Sequence, residues 1–392
     1  MDEPAWWPIG IALSSSTEAF ADGQLRTSYG RTVLWDFHPF LTPEGWSTDQ
    51  GEGIFWGDWP TEVETVKTVS ISQNCLVLLL NENLIAHIQP AHIGDDVSRL
   101  SRYEPWQKAL HSQNLLLPTG GWSVDGNDRI LLYPNHSPSS ADEDDSVVLN
   151  LIEKLGSLHS SLEPFSTPNT ERRWNDRLKA IEDSLKTKTM WRAPHASSTV
   201  GLPRIHLSLD SVAEVDGKRM FLPLSRSLSE HLLCESDRLP SLASLMILEQ
   251  QWSRKVGLTE QQRQTVLETW ARSVPLAWSS RQALSTVRGG AWVWRYHATV
   301  LELAQAKAFA DETTVKACEQ WLQEVSRLQA HLGTLRMWKS GQWVGITGLA
   351  VSFFSWKLAT LTFNQSLLLA GLSIAVGLAT NAIYHFKDPK PY

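Results

Sequence analysis

Cysteine is scarce in this chain of 392 residues, and basic residues do not outnumber acidic residues. The three cysteines, Cys75, Cys234 and Cys318, lack the paired spacing of a disulfide framework or a zinc site, which fits a reducing compartment. The formal net charge is −7 and the pI is about 6.0, so the chain lacks the excess of positive charge that is typical of nucleic-acid-binding proteins. Disulfide-stabilised secreted domains and nucleic-acid-binding proteins are therefore set aside.

Several sequence signatures of catalysis and targeting are also missing. The 12 histidines form no His-x-His or His-Glu-x-x-His pattern, so we expect no metal site. No Gly-x-Ser-x-Gly elbow is present, although the many serines and histidines leave a hydrolytic triad open. The N-terminus, Met1-Asp2-Glu3-Pro4, is acidic and does not lead into an apolar run, which argues against a signal peptide.

Two long apolar runs close the sequence. Residues 343–363 are apolar apart from Lys357, and after the polar turn Asn364-Gln365-Ser366 a second run covers residues 367–386. A helix rises about 1.5 Å per residue and the hydrocarbon core is roughly 30 Å thick, so about 20 residues are needed to cross it. The sequence therefore predicts a two-helix membrane hairpin, and the alternative is a buried hairpin of a soluble protein.

Basic residues at the ends of these runs predict their orientation. Arg336 and Lys339 precede the first run, next to the interfacial anchor Trp343. Lys387 and Lys390 follow the second run, and the turn between the runs carries no charge. We therefore expect an integral membrane protein with both termini and the soluble domain on the cytoplasmic side. The small residues that would let the two helices approach each other, or receive a partner helix, are Gly348, Ser352, Gly371, Ala375 and Ala379.

The part ahead of the hairpin changes character near its middle. Residues 66–70, 75–80 and 84–88 alternate or run apolar around the turn Asn81-Glu82-Asn83, which predicts an antiparallel meander. Residues 96–111 have a helical stripe, and beyond an acidic loop the sequence becomes mostly helical. The predicted units are an N-terminal extension of uncertain structure (1–64), a β-rich N-lobe (65–134), an acidic hinge or loop (135–146), a helical C-lobe (147–312), an amphipathic connecting helix (313–340) and two transmembrane helices (341–363 and 367–386).

Several short motifs follow one another in this α+β arrangement. They are Leu-Ile-Ala-His-Ile at 84–88, Arg-Leu-Ser-Arg-Tyr-Glu at 99–104, Ile-Leu-Leu-Tyr-Pro at 130–134, Leu-Gly-Ser-Leu-His at 155–159, Pro-Arg-Ile-His-Leu-Ser-Leu at 203–209 and Phe-Leu-Pro-Leu at 221–224. Their order and spacing resemble the aminoglycoside phosphotransferase and choline kinase branch of the protein-kinase-like fold. The resemblance covers roughly residues 65–310 and implies a bilobal domain, with a small antiparallel N-lobe and a helical C-lobe.

The residues at the chemically important positions depart from this family. The resemblance places His87 where the family has its phosphate-binding lysine, and Glu104 where that lysine has its glutamate partner. His206 resembles the structural histidine of the catalytic loop, and Ser208 stands in place of the catalytic aspartate. Ala213 replaces the metal-binding asparagine. Pro223 replaces the metal-binding aspartate.

These replacements predict a chemically inactive, pseudokinase-like cleft. Phosphoryl transfer needs cations around the phosphates, oxygen ligands for magnesium and a base for the attacking hydroxyl. Histidine is mostly neutral at pH 7, serine is a poor base, and alanine and proline side chains have no ligand atoms. We therefore expect no cofactor, and ATP with magnesium belongs only to an alternative in which Asp210 acts as the base.

The leading hypothesis is a membrane-anchored, inactive kinase-like protein that serves as a regulatory, assembly or scaffold factor for a membrane protein complex. Its expected partners are the lipid bilayer and an integral membrane protein or complex, and not nucleic acid. One alternative is an active, divergent phosphotransferase acting on a small or lipid-like hydroxyl substrate. A second alternative is a structural subunit of a membrane complex.

Overall fold

The computed structural model of the protein describes residues 5–13, 24–47, 53–92, 115–124, 127–139, 144–168, 171–185, 200–203, 205–215, 217–223, 227–234 and 238–388. These residues form an α+β structure with a β-rich N-terminal region and a helical C-terminal region, as the sequence predicts. The motif at 99–104, with Glu104, the predicted helix at 96–111 and the anchor Lys390 lie outside the described residues.

Fifteen strands occur among the described residues. They are β1 (Gln24–Thr27), β2 (Gly30–Leu34), β3 (Ile54–Gly57), β4 (Val66–Ser72), β5 (Cys75–Leu80), β6 (Leu84–Ile88), β7 (Ala91–His92), β8 (Gly120–Val124), β9 (Asn127–Pro134), β10 (Ser137–Ser139), β11 (Thr167–Pro168), β12 (Val200–Pro203), β13 (Val212–Val215), β14 (Lys218–Phe221) and β15 (Arg238–Leu239).

The main sheet has six antiparallel strands in the order β3-β8-β9-β6-β5-β4. The predicted meander β4-β5-β6 is present, and its leucines explain it. Leu76, Leu78 and Leu80 of β5 are buried at every second position, which is the periodicity of a strand with one face on a core. The sheet begins earlier than predicted, because β3 lies before residue 65 and pairs with β8. The N-terminal extension therefore contributes an edge strand.

The smaller sheets have three strands each. β1 and β2 form a hairpin that pairs with β7, and the hairpin of β13 and β14 pairs with β10. Part of the predicted hinge is thus a short strand. The acidic run after it ends in a helix cap, because the side chain of Asp144 accepts a hydrogen bond from the backbone N–H of Ser146 at 2.8 Å. The segment 135–146 is therefore not a plain loop where it is described.

Ten helices of the α type are described. They are α1 (Asp145–Ser161), α2 (Glu171–Leu185), α3 (Leu228–Leu233), α4 (Ser241–Val256), α5 (Glu260–Ala271), α6 (Leu276–Ser279), α7 (Arg281–Leu284), α8 (Gly290–Ala308), α9 (Glu312–Lys357) and α10 (Phe363–Lys387). Helix α8 is buried on almost every side, which is the pattern of a central core helix. It packs against α4, α9 and α3, so the helical region is built around it.

The C-terminal hairpin has different boundaries from those predicted. Helix α9 runs without interruption through the predicted connecting helix and much of the predicted first span, and it ends at Lys357. The turn covers residues 358–362 rather than Asn364-Gln365-Ser366. The reason is a capping box: Thr362 and Gln365 exchange hydrogen bonds through their side chains and backbone N–H groups, which starts α10 at Phe363. Among the described helices, α10 alone is long and apolar enough to cross a membrane.

The two C-terminal helices pack through a seam of small and polar residues. A Cβ atom added to Gly345 would lie 2.8 Å from the Cα atom of Gly377, so the backbones are in direct contact there. Ser352 donates a hydrogen bond to the carbonyl oxygen of Ser366 at 2.6 Å. Gly348 lies in the same seam, against Ser373.

The five predicted packing residues therefore separate into two groups. Gly348 and Ser352 face the other helix of the hairpin. Gly371, Ala375 and Ala379 are exposed on α10, and nothing lies within 4 Å of a Cβ atom added to Gly371. The predicted anchors Arg336, Lys339, Trp343 and Lys387 are also exposed.

Candidate functional site

A cavity of about 670 Å³ lies between the main sheet and the helical region. Strands β4, β5, β6 and β9 form one wall, and the loop at 206–211 together with α4 and α8 forms the other. Its volume is in the range of small-molecule sites. Lining residues that bear on its chemistry are Cys75, His87, Tyr133, His136, His206, Asp210, Glu230, Gln250, Gln251, Glu302, Gln305 and Asp311.

His87 lies on the sheet wall of this cavity. Its strand places it between Val77 on β5 and Leu131 on β9. The ring is 5.0 Å from the ring of Tyr133, and Nδ1 is 3.9 Å from the Sγ atom of Cys75. Burial, followed by the nearby His136, lowers the pKa of His87 to about 3, so the imidazole is neutral at pH 7. The position that resembles the phosphate-binding lysine therefore carries no positive charge.

The loop at 205–211 holds three of the predicted site residues. His206 lies with Nδ1 3.8 Å from the Oε2 atom of Glu230. Ser208 is buried, and its hydroxyl accepts a hydrogen bond from the backbone N–H of Asp210 at 3.2 Å. Asp210 lines the cavity, but its carboxylate forms an ion pair with Lys255 at the end of α4. The serine hydroxyl thus supports the loop, and the aspartate is engaged by a lysine.

Ala213 and Pro223 lie beside the cavity and supply no side-chain ligand for a metal. Ala213 is fully buried with Leu131 and Tyr133 in a small apolar cluster. The carbonyl oxygen of Pro223 accepts a hydrogen bond from the hydroxyl of Tyr133 at 2.7 Å. Since Tyr133 also contacts the ring of His87, the structure brings His87, Ala213 and Pro223 to one side of the cavity. No group of three or more His, Cys, Asp or Glu residues in the described part of the chain is arranged to hold a metal ion.

One part of the cavity lining was not predicted from the sequence, the tight turn Gln73-Asn74 between β4 and β5. Asn74 has a φ of 53°, and its side chain bonds both backbone groups of Ala91, each at 2.8 Å. Gln305 of α8 donates a hydrogen bond to the side-chain oxygen of Gln73 at 3.2 Å. The turn is therefore fixed to the β7 segment and to the helical region at once. An asparagine between two strands is a turn signal, but these partners are far away in sequence.

Buried ion pairs near the cavity were also not predicted. Arg177 contacts Glu230 at 3.1 Å and donates a hydrogen bond to His297 at 3.0 Å. Glu249 is fully buried and accepts two hydrogen bonds from Arg295, at 2.9 and 3.0 Å. Such pairs hold helices in register, and each partner is stable in the interior only because the other is there.

His159, part of the Leu-Gly-Ser-Leu-His motif, has a structural role. It is buried in α1 and its Nδ1 atom accepts a hydrogen bond from the indole N–H of Trp270 at 3.0 Å. Burial lowers the pKa of His159 to about 3. The ring is therefore neutral at pH 7 and joins α1 to α5.

No family model and no curated protein matches this sequence. Solved structures do match, and one is a glucosamine kinase in complex with glucosamine, ADP and inorganic phosphate, with 10% identity, a TM-score of 0.45, and coverage of 78% of this chain and 89% of the kinase. An aminoglycoside phosphotransferase in complex with GDP and kanamycin has 12% identity and a TM-score of 0.42, with coverage of 68% and 94%. A choline kinase from Cryptosporidium parvum Iowa II has 10% identity and a TM-score of 0.43, with coverage of 68% and 89%.

These solved structures, to which the chain is similar at low identity, are of the aminoglycoside phosphotransferase and choline kinase type that the sequence motifs resemble. At TM-scores of 0.42 to 0.45 the likeness carries no argument about this chain. The function of the chain has to be inferred from its own residues.

Proposed function

We propose that this chain is a membrane-anchored, catalytically inactive kinase-like protein that regulates, assembles or scaffolds a membrane protein complex. The main observation behind the proposal is that the His87 side chain is uncharged at pH 7. It occupies the strand position that resembles the phosphate-binding lysine, yet it is neutral and faces Cys75 and Tyr133. A neutral imidazole gives no charge stabilisation to a transferred phosphoryl group.

The remaining positions of the cleft support the same proposal. Ser208 is used to hold the backbone of Asp210, and the Asp210 carboxylate is paired with Lys255. The turn Gln73-Asn74 occupies the edge of the cleft between β4 and β5, where protein kinases have a glycine-rich loop over the phosphates. Its hydrogen bonds to Ala91 and Gln305 restrict the backbone movement that would admit a triphosphate.

The membrane part of the proposal has two spans with the soluble domain on the cytoplasmic side. Helix α10 supplies one span. The end of α9, from about residue 341, runs antiparallel to it and exposes apolar side chains such as Val344, Phe353 and Phe354. Arg336 and Lys339 on α9 lie at the same end of the hairpin as Lys387 on α10, since His331 contacts the carbonyl oxygen of Lys387. Positive charge on one side favours a cytoplasmic location for that side.

The proposed partners are the bilayer and an integral membrane protein. The exposed residues Gly371, Ala375 and Ala379 recur every four positions on the face of α10 that the hairpin leaves uncovered. Small residues at this spacing permit close helix packing in membranes. Neither ATP nor magnesium is part of the proposal.

The proposal is tested by thermal unfolding of the full chain in detergent with and without Mg-ATP. A ligand present at a hundredfold excess over its dissociation constant stabilises the native state by about 2.7 kcal/mol. We expect no shift of Tm with Mg-ATP and no transfer of phosphate to small or lipid-like alcohols. A clear stabilisation by Mg-ATP would overturn the inactive assignment.

The alternative of an active phosphotransferase depends on Asp210, and the substitution Asp210→Asn tests it separately. If turnover is found and is lost in Asp210→Asn, that alternative replaces the proposal. The second alternative, a structural subunit, predicts that the chain co-purifies with a stable membrane complex from mild detergent and that no small molecule changes its Tm.

A further inference from the structure

The proposed function leaves a large cavity without an assigned ligand. Three carboxylates that line it each have a cationic partner: Asp210 pairs with Lys255, Glu230 with Arg177 at 3.1 Å, and Glu302 with Arg254 at 3.2 Å. None of these cations belongs to the cavity lining. Within the described part of the chain, no lysine or arginine lines the cavity at all. Among these residues an anion such as phosphate would therefore meet carboxylates and no lysine or arginine.

The same ion pairs also disfavour an organic cation as the ligand. Each of the three carboxylates is already compensated, so a cationic group would gain little from them. The fourth lining carboxylate, that of Asp311, caps α9 through Thr314 at 3.1 and 2.7 Å. The charges of the cavity thus fit an uncharged molecule best.

A second and independent observation is the side chain of Gln250 on α4. Gln250 lines the cavity, is only 4% exposed, and its Nε2 atom has no hydrogen-bond partner among the described residues. A buried amide donor without an acceptor destabilises a protein, so such groups nearly always have a partner. The adjacent Gln251 lines the cavity too, and its side-chain oxygen accepts the backbone N–H of Leu209 at 3.1 Å. Its NH₂ group has no acceptor among the described residues and is available as a second donor.

We propose that this cavity binds an uncharged organic molecule whose oxygen or nitrogen acceptors meet the amide donors of Gln250 and Gln251. The inference rests on the proposed function, since it assigns the cleft a ligand other than Mg-ATP. Apolar residues of the sheet wall, among them Val77, Ile85 and Leu131, would cover the rest of the ligand. An uncharged molecule of this kind loses less solvation on entry than its phosphorylated form does.

Binding is measured on the full chain in detergent by ligand-observed NMR with three matched pairs: adenosine and AMP, uridine and UMP, and glucose and glucose 6-phosphate. We expect at least one uncharged member to bind, and its phosphorylated counterpart to bind at least about tenfold more weakly. The variant Gln250→Met should lose about tenfold or more in affinity. The control variant Gln320→Met, at an exposed position of α9, should bind like the parent. The proposal is wrong if no uncharged probe binds, if the phosphorylated members bind as well, or if Gln250→Met binds normally.

The Tm of the ligand-free variants tests the unpartnered donor without any knowledge of the ligand. Methionine keeps the shape of glutamine and removes the donor, so Gln250→Met should raise Tm by about 2 °C or more, whereas Gln320→Met should not. If Gln250→Met lowers Tm, the amide has a structural partner such as a resident water, and the proposal fails.

Binding of Mg-ATP would overturn the proposed function. Failure of the uncharged probes without any response to Mg-ATP would overturn only the ligand proposal.

Discussion

The contact between Gly345 of α9 and Gly377 of α10 allows a quantitative test of the hairpin. The substitution Gly345→Ala adds a Cβ atom that would lie 2.8 Å from the Cα atom of Gly377 and 2.8 Å from the carbonyl oxygen of Ser373. Both are backbone atoms that cannot rotate away. The helices must therefore separate by roughly half an ångström or more, a gap that forfeits a quarter to a half of the attraction between the atoms concerned.

The separation would also strain two of the hydrogen bonds that join the two helices. These join Ser352 to the carbonyl oxygen of Ser366 at 2.6 Å, and Gln342 to Asn381 at 3.0 Å. A hydrogen bond between membrane helices contributes on average about 0.6 kcal/mol, and up to about 1.7 kcal/mol. With the lost packing, Gly345→Ala should reduce the free energy of unfolding by about 1–3 kcal/mol.

The assay is unfolding of the full chain by SDS in mixed micelles, and Gly371→Ala is the matched control. Gly371 also lies in the helical hairpin, but nothing lies within 4 Å of its added Cβ atom. Both variants gain the same helix propensity, up to about 1 kcal/mol, so their difference isolates the seam contact. Equal stability of Gly345→Ala and Gly371→Ala would refute the helix packing described for the hairpin.

Three further predictions concern the soluble domain. Glu249→Ala should lower the free energy of unfolding by about 3–5 kcal/mol, because it removes the carboxylate that the buried Arg295 contacts twice; a urea titration that gives less than about 1 kcal/mol would contradict this. Asn74→Ala should cost about 1–3 kcal/mol in the same titration, because both backbone groups of Ala91 lose their partner, and an unchanged midpoint would count against the fixed turn. Burial lowers the pKa of His159 to about 3 in the folded protein, against 6.5 for an unburied histidine. Between these two pH values the unfolded state binds more protons than the folded state, so the stability of the protein falls as the pH drops. His159→Gln should reduce this dependence by about 1.4 kcal/mol per pH unit in unfolding measurements between about pH 6 and 4, and an identical pH profile would show that the ring titrates normally.

Local patterns account for the parts of the fold that were predictable. The alternation of leucines in β5 requires only that one face of the strand meets a core, and the stripe on α9 places Cys318, Leu322 and Val325 inside. The hairpin turn was misplaced because the polar triplet at 364–366 looked like a loop. In the structure the Gln365 side chain of that triplet accepts a hydrogen bond from the backbone N–H of Thr362, which caps the N-terminus of α10. The turn itself consists of less polar residues.

Motif order predicts which residues replace the family's site residues, namely His87, Ser208, Ala213 and Pro223. It does not predict their surroundings, because these depend on contacts between distant segments. Gln73 and Gln305 are 232 positions apart, and no periodicity or short motif relates them. The burial of the Gln250 side-chain amide was not predictable either, because a glutamine in an amphipathic helix normally indicates an exposed position.

The proposed inactivity of the cleft is tested most directly by calorimetric titration of the full chain in detergent with Mg-ATP. We expect no binding heat beyond dilution, because His87 is neutral and no lysine or arginine of the described residues lines the cavity. A titration of ATP in the presence of EDTA serves as the control for metal-independent binding. Saturable heat with Mg-ATP that is lost when magnesium is chelated would contradict the proposal that this cleft has no role in phosphoryl transfer.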